Sequence, residues 1–217
     1  MYLIGDSTLT NQIYGQLCDI MNVAGNPDRS RPSTGHVFSG LMPTSVHVDE
    51  YNLSVVRAFH HIKVGPARDF SFAIFEVDLL DSIGHDGRCD YVIVLGFGIH
   101  FRQWSRSAFT ARVTHIQDAI SRFRERCPRT PIIIKGSHMS EPAHKASTNV
   151  QSIAMAYSDW YVHAILNTMK VYLQDYEGVM FLDTWDLNLA FPEPNNTQMS
   201  LVAVRQELFL ILSLICL

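Results

Sequence analysis

Three short stretches of unbroken apolar character constrain this chain most. They read "DYVIVLGFG" (residues 90–98), "TPIIIKG" (130–136) and "GVMFLDTW" (178–185). Each is short, rich in β-branched residues and bounded by Gly, Pro or Asp, so each predicts a strand rather than a helix. A strand with no polar alternation must be covered on both faces, as in a parallel sheet. Amphipathic helices fit the intervals: residues 107–126, about 151–174, and 201–215. Buried strands alternating with such helices predict an α/β fold, a three-layer α/β/α sandwich with a mostly parallel sheet. The chain has 217 residues, 47% of them hydrophobic, which is enough to build a large core. Its length favours one domain over residues 1–217.

The amino-terminal part continues the pattern. "MYLIG" reads as a first strand clipped at its start, and Thr8 to about Val23 follows with apolar residues at helical spacing. Residues 25–35 read as a loop from their Gly, Pro, Ser and Asp content. Residues 53–64 predict a strand, and Phe72 to Ile83 a helix. In open α/β sheets ligands bind beyond the carboxyl ends of the strands. Here those ends are Gly5-Asp6-Ser7, Gly96 to His100, Lys135 to His138, and Asp183 to Asp186.

Several function classes are disfavoured. A net charge of -4 leaves no basic footprint for nucleic acid or anionic membrane. No charged region or cleavage site follows Met1, so no signal peptide is read. "LFLILSLICL" (208–217) is about half the length of a membrane span and predicts a buried final helix or strand. The four cysteines form no CxxC pair, which argues against zinc. Three disulfide pairings are open if the protein is secreted. There is no P-loop, GxGxxG or HExxH. His60 and His61 point to opposite faces of a strand and cannot chelate one ion together. Neither metal nor other cofactor is expected.

The Gly5-Asp6-Ser7 corner carries the chemistry. A serine hydroxyl is a weak nucleophile and needs a base, together with amides that hold an oxyanion. At a helix start it gains access and a local positive potential from unpaired N–H groups. The alternative is structural: Asp6 or Ser7 simply caps the helix. These residues alone leave both readings open.

The corner resembles the first motif of SGNH hydrolases, in which a Gly-Asp-Ser after the first strand carries the nucleophile. The likeness extends through "LIGDSTL", "VLGFGIHFRQW", "PIIIKG" and "FLDTWDLNLAFPEPNN". In order and spacing these resemble the carboxy-terminal domain of the NXPE family (neurexophilin and PC-esterase domain proteins). The resemblance implies an esterase or O-acyltransferase acting on an acylated glycan or glycoprotein, in the Golgi lumen or outside the cell. It implies Ser7 as nucleophile, and Asp6, Gly98, His100, Asn195 and Gln198 as oxyanion or cleft residues. Asp183 and Asp186 would orient a histidine. It also implies a missing amino-terminal region.

The pattern departs at one place. The resemblance calls for a histidine after the last strand, in an Asn-Asn-x-His-Pro setting. This chain reads "PNNTQMS", with Gln198 in the histidine's position and no histidine after His163. Glutamine accepts no proton at neutral pH. Three outcomes are open: the domain binds glycan or protein without turnover, a histidine from another loop (His36, His138 or His144) serves Ser7, or the motif aligns differently or works by an unusual mechanism.

Overall fold

The computed structural model describes residues 1–6, 8–21, 44–60, 75–101, 104–139, 159–192 and 199–215. Six strands form one sheet: β1 (Tyr2–Gly5), β2 (Thr44–Val48), β3 (Leu53–Phe59), β4 (Ile93–Gly96), β5 (Ile132–Lys135) and β6 (Val179–Leu182). Their order is β2-β3-β1-β4-β5-β6. All neighbours run parallel except β2, which pairs antiparallel with β3. The expected α/β/α sandwich is therefore present.

The helices are α1 (Tyr14–Ile20), α2 (Glu76–Ser82), α3 (Arg106–Arg126), α4 (Asp159–Leu173), α5 (Trp185–Ala190) and α6 (Leu201–Ile215). A wider π-helical turn over Thr8–Ile13 leads into α1. Strand alternation sends successive side chains to opposite layers. Ile4, Ile93, Leu95 and Ile134 meet Leu80 of α2, Phe109 and Ile116 of α3, and Met169 of α4. Leu3, Val94 and Ile133 meet Leu17 of α1 and Val204 and Leu208 of α6. Helix α3 begins where the Ser105 hydroxyl accepts from Ala108 N at 3.2 Å. A cap of this kind contributes about 1 kcal/mol.

Some expectations needed adjustment. Strand β6 was expected to be covered on both faces, yet only Leu182 is buried, because β6 is an edge strand with a single neighbour. Strand β2 was not expected; its polar "TSVHV" pairs across a hairpin whose turn places Asn52 at φ 46°. The carboxy-terminal run forms α6, and the described residues cover one side of it. Leu201, Val202, Phe209 and Leu210 lie on its open side. Among the described residues no helix is long and apolar enough to cross a membrane. Cys89 and Cys127 form a disulfide, and Cys18 is buried. The loop expected over residues 25–35 lies outside the described residues.

Candidate functional site

The chain leaves β1, reaches β3 on one side, and then crosses to β4 on the other. This makes the β1–β4 boundary a topological switch point, where adjacent crossovers diverge and open a crevice at the carboxyl edge. Gly5 and Gly96 are paired there. A Cβ on Gly5 would lie 1.8 Å from the Gly96 carbonyl oxygen, at a φ of +152°. Only glycine fits, and the two backbones close tightly: Asp6 N donates to Gly96 O at 2.8 Å.

Asp6 then turns the chain. Its Oδ1 accepts from Thr8 N at 3.0 Å and Leu9 N at 3.3 Å, and its carbonyl accepts from Thr10 N. Asp6 is thus the helix cap, with its carboxylate spent on backbone amides that would otherwise be orphaned. Ser7 lies outside the described residues, as do Asn195, Gln198, His36, His61 and His144. Asp6 and Thr8 fix the chain on either side of it.

Gly98 lies beside the corner, in the loop after β4. A Cβ there would sit 2.0 Å from the Ser137 hydroxyl, at a φ of +131°. The Gly96–Gly98 loop can therefore press against the end of β5. His100 follows in a short 3₁₀ turn, half-buried, with its ring 5.6 Å from Phe59 and 4.8 Å from His60. From β5, the buried His138 brings its ring nitrogens to 3.3 and 3.4 Å from the Thr8 hydroxyl. The ends of β1, β4 and β5 thus meet, with the end of β3 alongside.

The β6 end stands apart. Asp183 is three strand positions from β1, roughly 14 Å at the usual strand spacing. Its Oδ2 pairs with Lys170 at 2.7 Å, and its Oδ1 accepts from Trp185 N at 3.1 Å. Partial burial pushes this carboxyl upward. The Lys170 bond, the Trp185 amide, and the charges of Lys170 and His163 outweigh that and hold it below the usual carboxylate range. Asp186 is exposed in the first turn of α5.

A family model described as "NXPE family member 4-like, C-terminal domain" matches residues 1–216. The chain belongs to the NXPE family. The match spans the switch-point corner, the Gly96–Gly98 loop and the β6 end alike.

Sequence reasoning missed one constellation in this NXPE domain. His60, just past β3, gives its backbone N–H to Gly5 O at 2.9 Å. Its Nδ1 bonds Glu76 Oε1, while Arg112 Nη2 reaches Glu76 Oε2 at 2.6 Å. The His60 and Glu76 side chains are both 0% exposed. Burial lowers the Arg112 guanidinium from its ordinary value, with Asp78 acting the other way. Arg112, on the amphipathic helix expected over residues 107–126, serves this internal carboxylate. The signal that would have found the cluster is strand order: β3 had to be placed beside β1.

Among the described residues, no three His, Cys, Asp or Glu side chains gather as metal ligands. A cleft of about 530 Å³, lined in part by Ser121, Arg124 and Tyr176, opens near Gly178 at the amino-terminal edge of the sheet. It lies at the opposite edge from the serine corner.

Proposed function

We propose that this NXPE domain, residues 1–217, is an SGNH-type acyl-transfer domain, an esterase or O-acyltransferase for acylated glycans or glycoproteins. Ser7 is the nucleophile. It attacks the ester carbonyl, and backbone amides at the start of the Thr8 turn and in the Gly98 loop hold the oxyanion. The family resemblance assigns His100, Asn195 and Gln198 to the cleft. The observation that carries this reading is the Gly5-Asp6 corner at the switch point, closed against Gly96. The Cys89–Cys127 disulfide supports a secretory location, because such bonds persist in oxidising compartments.

The test is labelling of the purified protein with a fluorophosphonate, read by intact mass. One adduct is expected on the wild type and none on Ser7→Ala. A folded wild type that stays unlabelled would sink this reading.

Gln198 favours a second reading, a glycan- or protein-binding domain that keeps the cleft without turnover. It predicts no adduct on the wild type and a new one on Gln198→His.

A further inference from the structure

We propose that Asn52 carries an N-linked glycan, and that this glycan shields the open edge of the sheet at β2. The proposal rests on the secretory location in the reading above and not on the serine corner.

The residues come first. Asn52-Leu53-Ser54 is an Asn-x-Ser sequence without proline at its centre, the acceptor pattern for N-glycosylation in a secreted protein. The fold puts it in the turn that joins β2 to β3. Asn52 follows a short 3₁₀ turn over Asp49–Tyr51, and its backbone N–H closes that turn on Asp49 O at 3.1 Å. Its φ of 46° is left-handed, a conformation that asparagine tolerates better than most residues with a side chain. Asn52 and Ser54 are both exposed, so a glycan added before folding stays in water once β2 and β3 pair. The Cys89–Cys127 disulfide is of the kind made in the endoplasmic reticulum lumen, where this modification is added.

Position comes next. β3 runs parallel to β1, so the turn before it lies at the amino-terminal edge of the sheet. At the other end of β3, Phe59 pairs with Gly5 of the serine corner. The length of β3, roughly 20 Å at the usual rise per residue, separates the turn from that corner. A glycan on Asn52 therefore leaves the crevice at the carboxyl edge open.

The edge gives the glycan a task. β2 is the last strand on its side of the sheet, and among the described residues no strand pairs with its outer side. An open edge is a template for pairing with another chain, and proteins blunt such edges with charge, proline or a bulge. "TSVHV" contains no Lys, Arg, Asp, Glu or Pro. Its register with β3 runs one to one from Thr44 to Val48, so it has no bulge either. A hydrated oligosaccharide at the end of β2 supplies the missing barrier.

The transfer step balances. Asn52 Nδ2 attacks C1 of the first sugar of a lipid-pyrophosphate-linked oligosaccharide. The N–C1 bond forms as the C1–O bond breaks, and the lipid pyrophosphate leaves with that electron pair. The amide proton passes to a carboxylate of the oligosaccharyl transferase.

The experiment expresses the chain behind a cleavable secretory leader in a eukaryotic cell, as wild type, Asn52→Gln, Ser54→Ala and Ser54→Thr. Lumenal and secreted protein is pooled and treated with peptide N-glycosidase in heavy-oxygen water. This converts a glycosylated asparagine to labelled aspartate, read by peptide mass. Label is expected at position 52 in wild type and Ser54→Thr, and is lost there in Asn52→Gln and Ser54→Ala. The other acceptor sequence, Asn195-Asn196-Thr197, lies on a separate tryptic peptide. An unlabelled Asn52 in folded wild type overturns the site. The leader fixes the compartment, so that outcome leaves the secretory location and the acyl-transfer reading standing. Shielding is read as the temperature at which light scattering rises on warming. Asn52→Gln should scatter at a lower temperature, and Asn52→Gln/Ser45→Lys, which puts a charge on the same edge, should recover the loss. Equal onset in wild type and Asn52→Gln, or no recovery in the double variant, overturns the shielding.

Discussion

The Glu76 cluster and the Glu207 cluster sit on opposite faces of one sheet, and each holds a fully buried carboxylate beside a cation. Glu76, on α2, faces Arg112 and His60. Glu207, on α6, faces Lys135 at 3.3 Å and accepts from Thr184 Oγ1 and Asn188 Nδ2. The partners differ in kind. Lys135, Thr184 and Asn188 meet Glu207 as donors only, and together they pin α6 and α5 to the end of β5. The Glu76 cluster includes an imidazole beside the Gly5 corner, and an imidazole can gain and lose a proton there. Burial and charge alone do not mark a functional site. What distinguishes one is a partner whose protonation can change, placed where the topology opens a crevice.

Glu207→Ala should have the largest effect on stability. It strands Lys135, 2% exposed, and removes the acceptor of Thr184 and Asn188. A buried ion left without its partner costs about 3–5 kcal/mol, read as a fall in the urea midpoint. The double variant Lys135→Met/Glu207→Leu should recover most of that loss, since well-packed apolar pairs replace buried ion pairs at little cost. If the double variant is as unstable as the single one, the cluster does more than balance charge, and the contrast drawn above fails.

Arg112→Met should cost less, about 2 kcal/mol, the scale of one hydrogen bond to a charged group. The difference has a physical source. Glu76 keeps its bond to His60 when Arg112 is gone, whereas among the described residues Lys135 has no ion-pair partner besides Glu207. Equal losses in Arg112→Met and Glu207→Ala, measured side by side by denaturation, would show that the His60 bond does not sustain Glu76 when Arg112 is gone.

The two clusters also mark the limit of what could be read from the residues alone. β4 and β5, helix α3 and α6 followed from local pattern, because periodicity and turn residues act over a few positions. The Gly5, Gly98 and His100 placements followed from strand ends. The Glu76–His60 pair did not, since 16 residues separate its members and no motif links them. Only the position of β3 beside β1 brings them to the corner, and strand order is a property of the whole sheet. Asp183 shows the same limit from the other side: its Lys170 contact comes from a different helix, which no local pattern indicates. The open side of α6 was hidden for a related reason, since an apolar run does not reveal how many of its sides are covered.

The smallest effect belongs to the Asp183–Lys170 pair, an open counterpart to both clusters. The Asp183 side chain is 33% exposed, so solvent screens it and its contribution should be a few tenths of a kcal/mol. Its carboxyl is held below the usual range in the folded chain, net of the upward push from burial. The stabilisation is therefore complete above the unfolded carboxyl value, near pH 3.9, and is lost as pH falls through the lower folded value. Denaturation curves for wild type and Asp183→Asn should stand slightly apart at pH 5 and converge toward pH 2.5. Added salt at 1 M, roughly a 3 Å screening length, should shrink the gap at pH 5, while the Glu207→Ala loss should hold in the same salt because no solvent reaches that carboxylate. A gap that grew toward low pH would reverse the sign and show that burial, not Lys170, governs Asp183. A Glu207→Ala loss that shrank with salt in parallel would show that the inner cluster is wet, and the division between buried and open pairs would collapse.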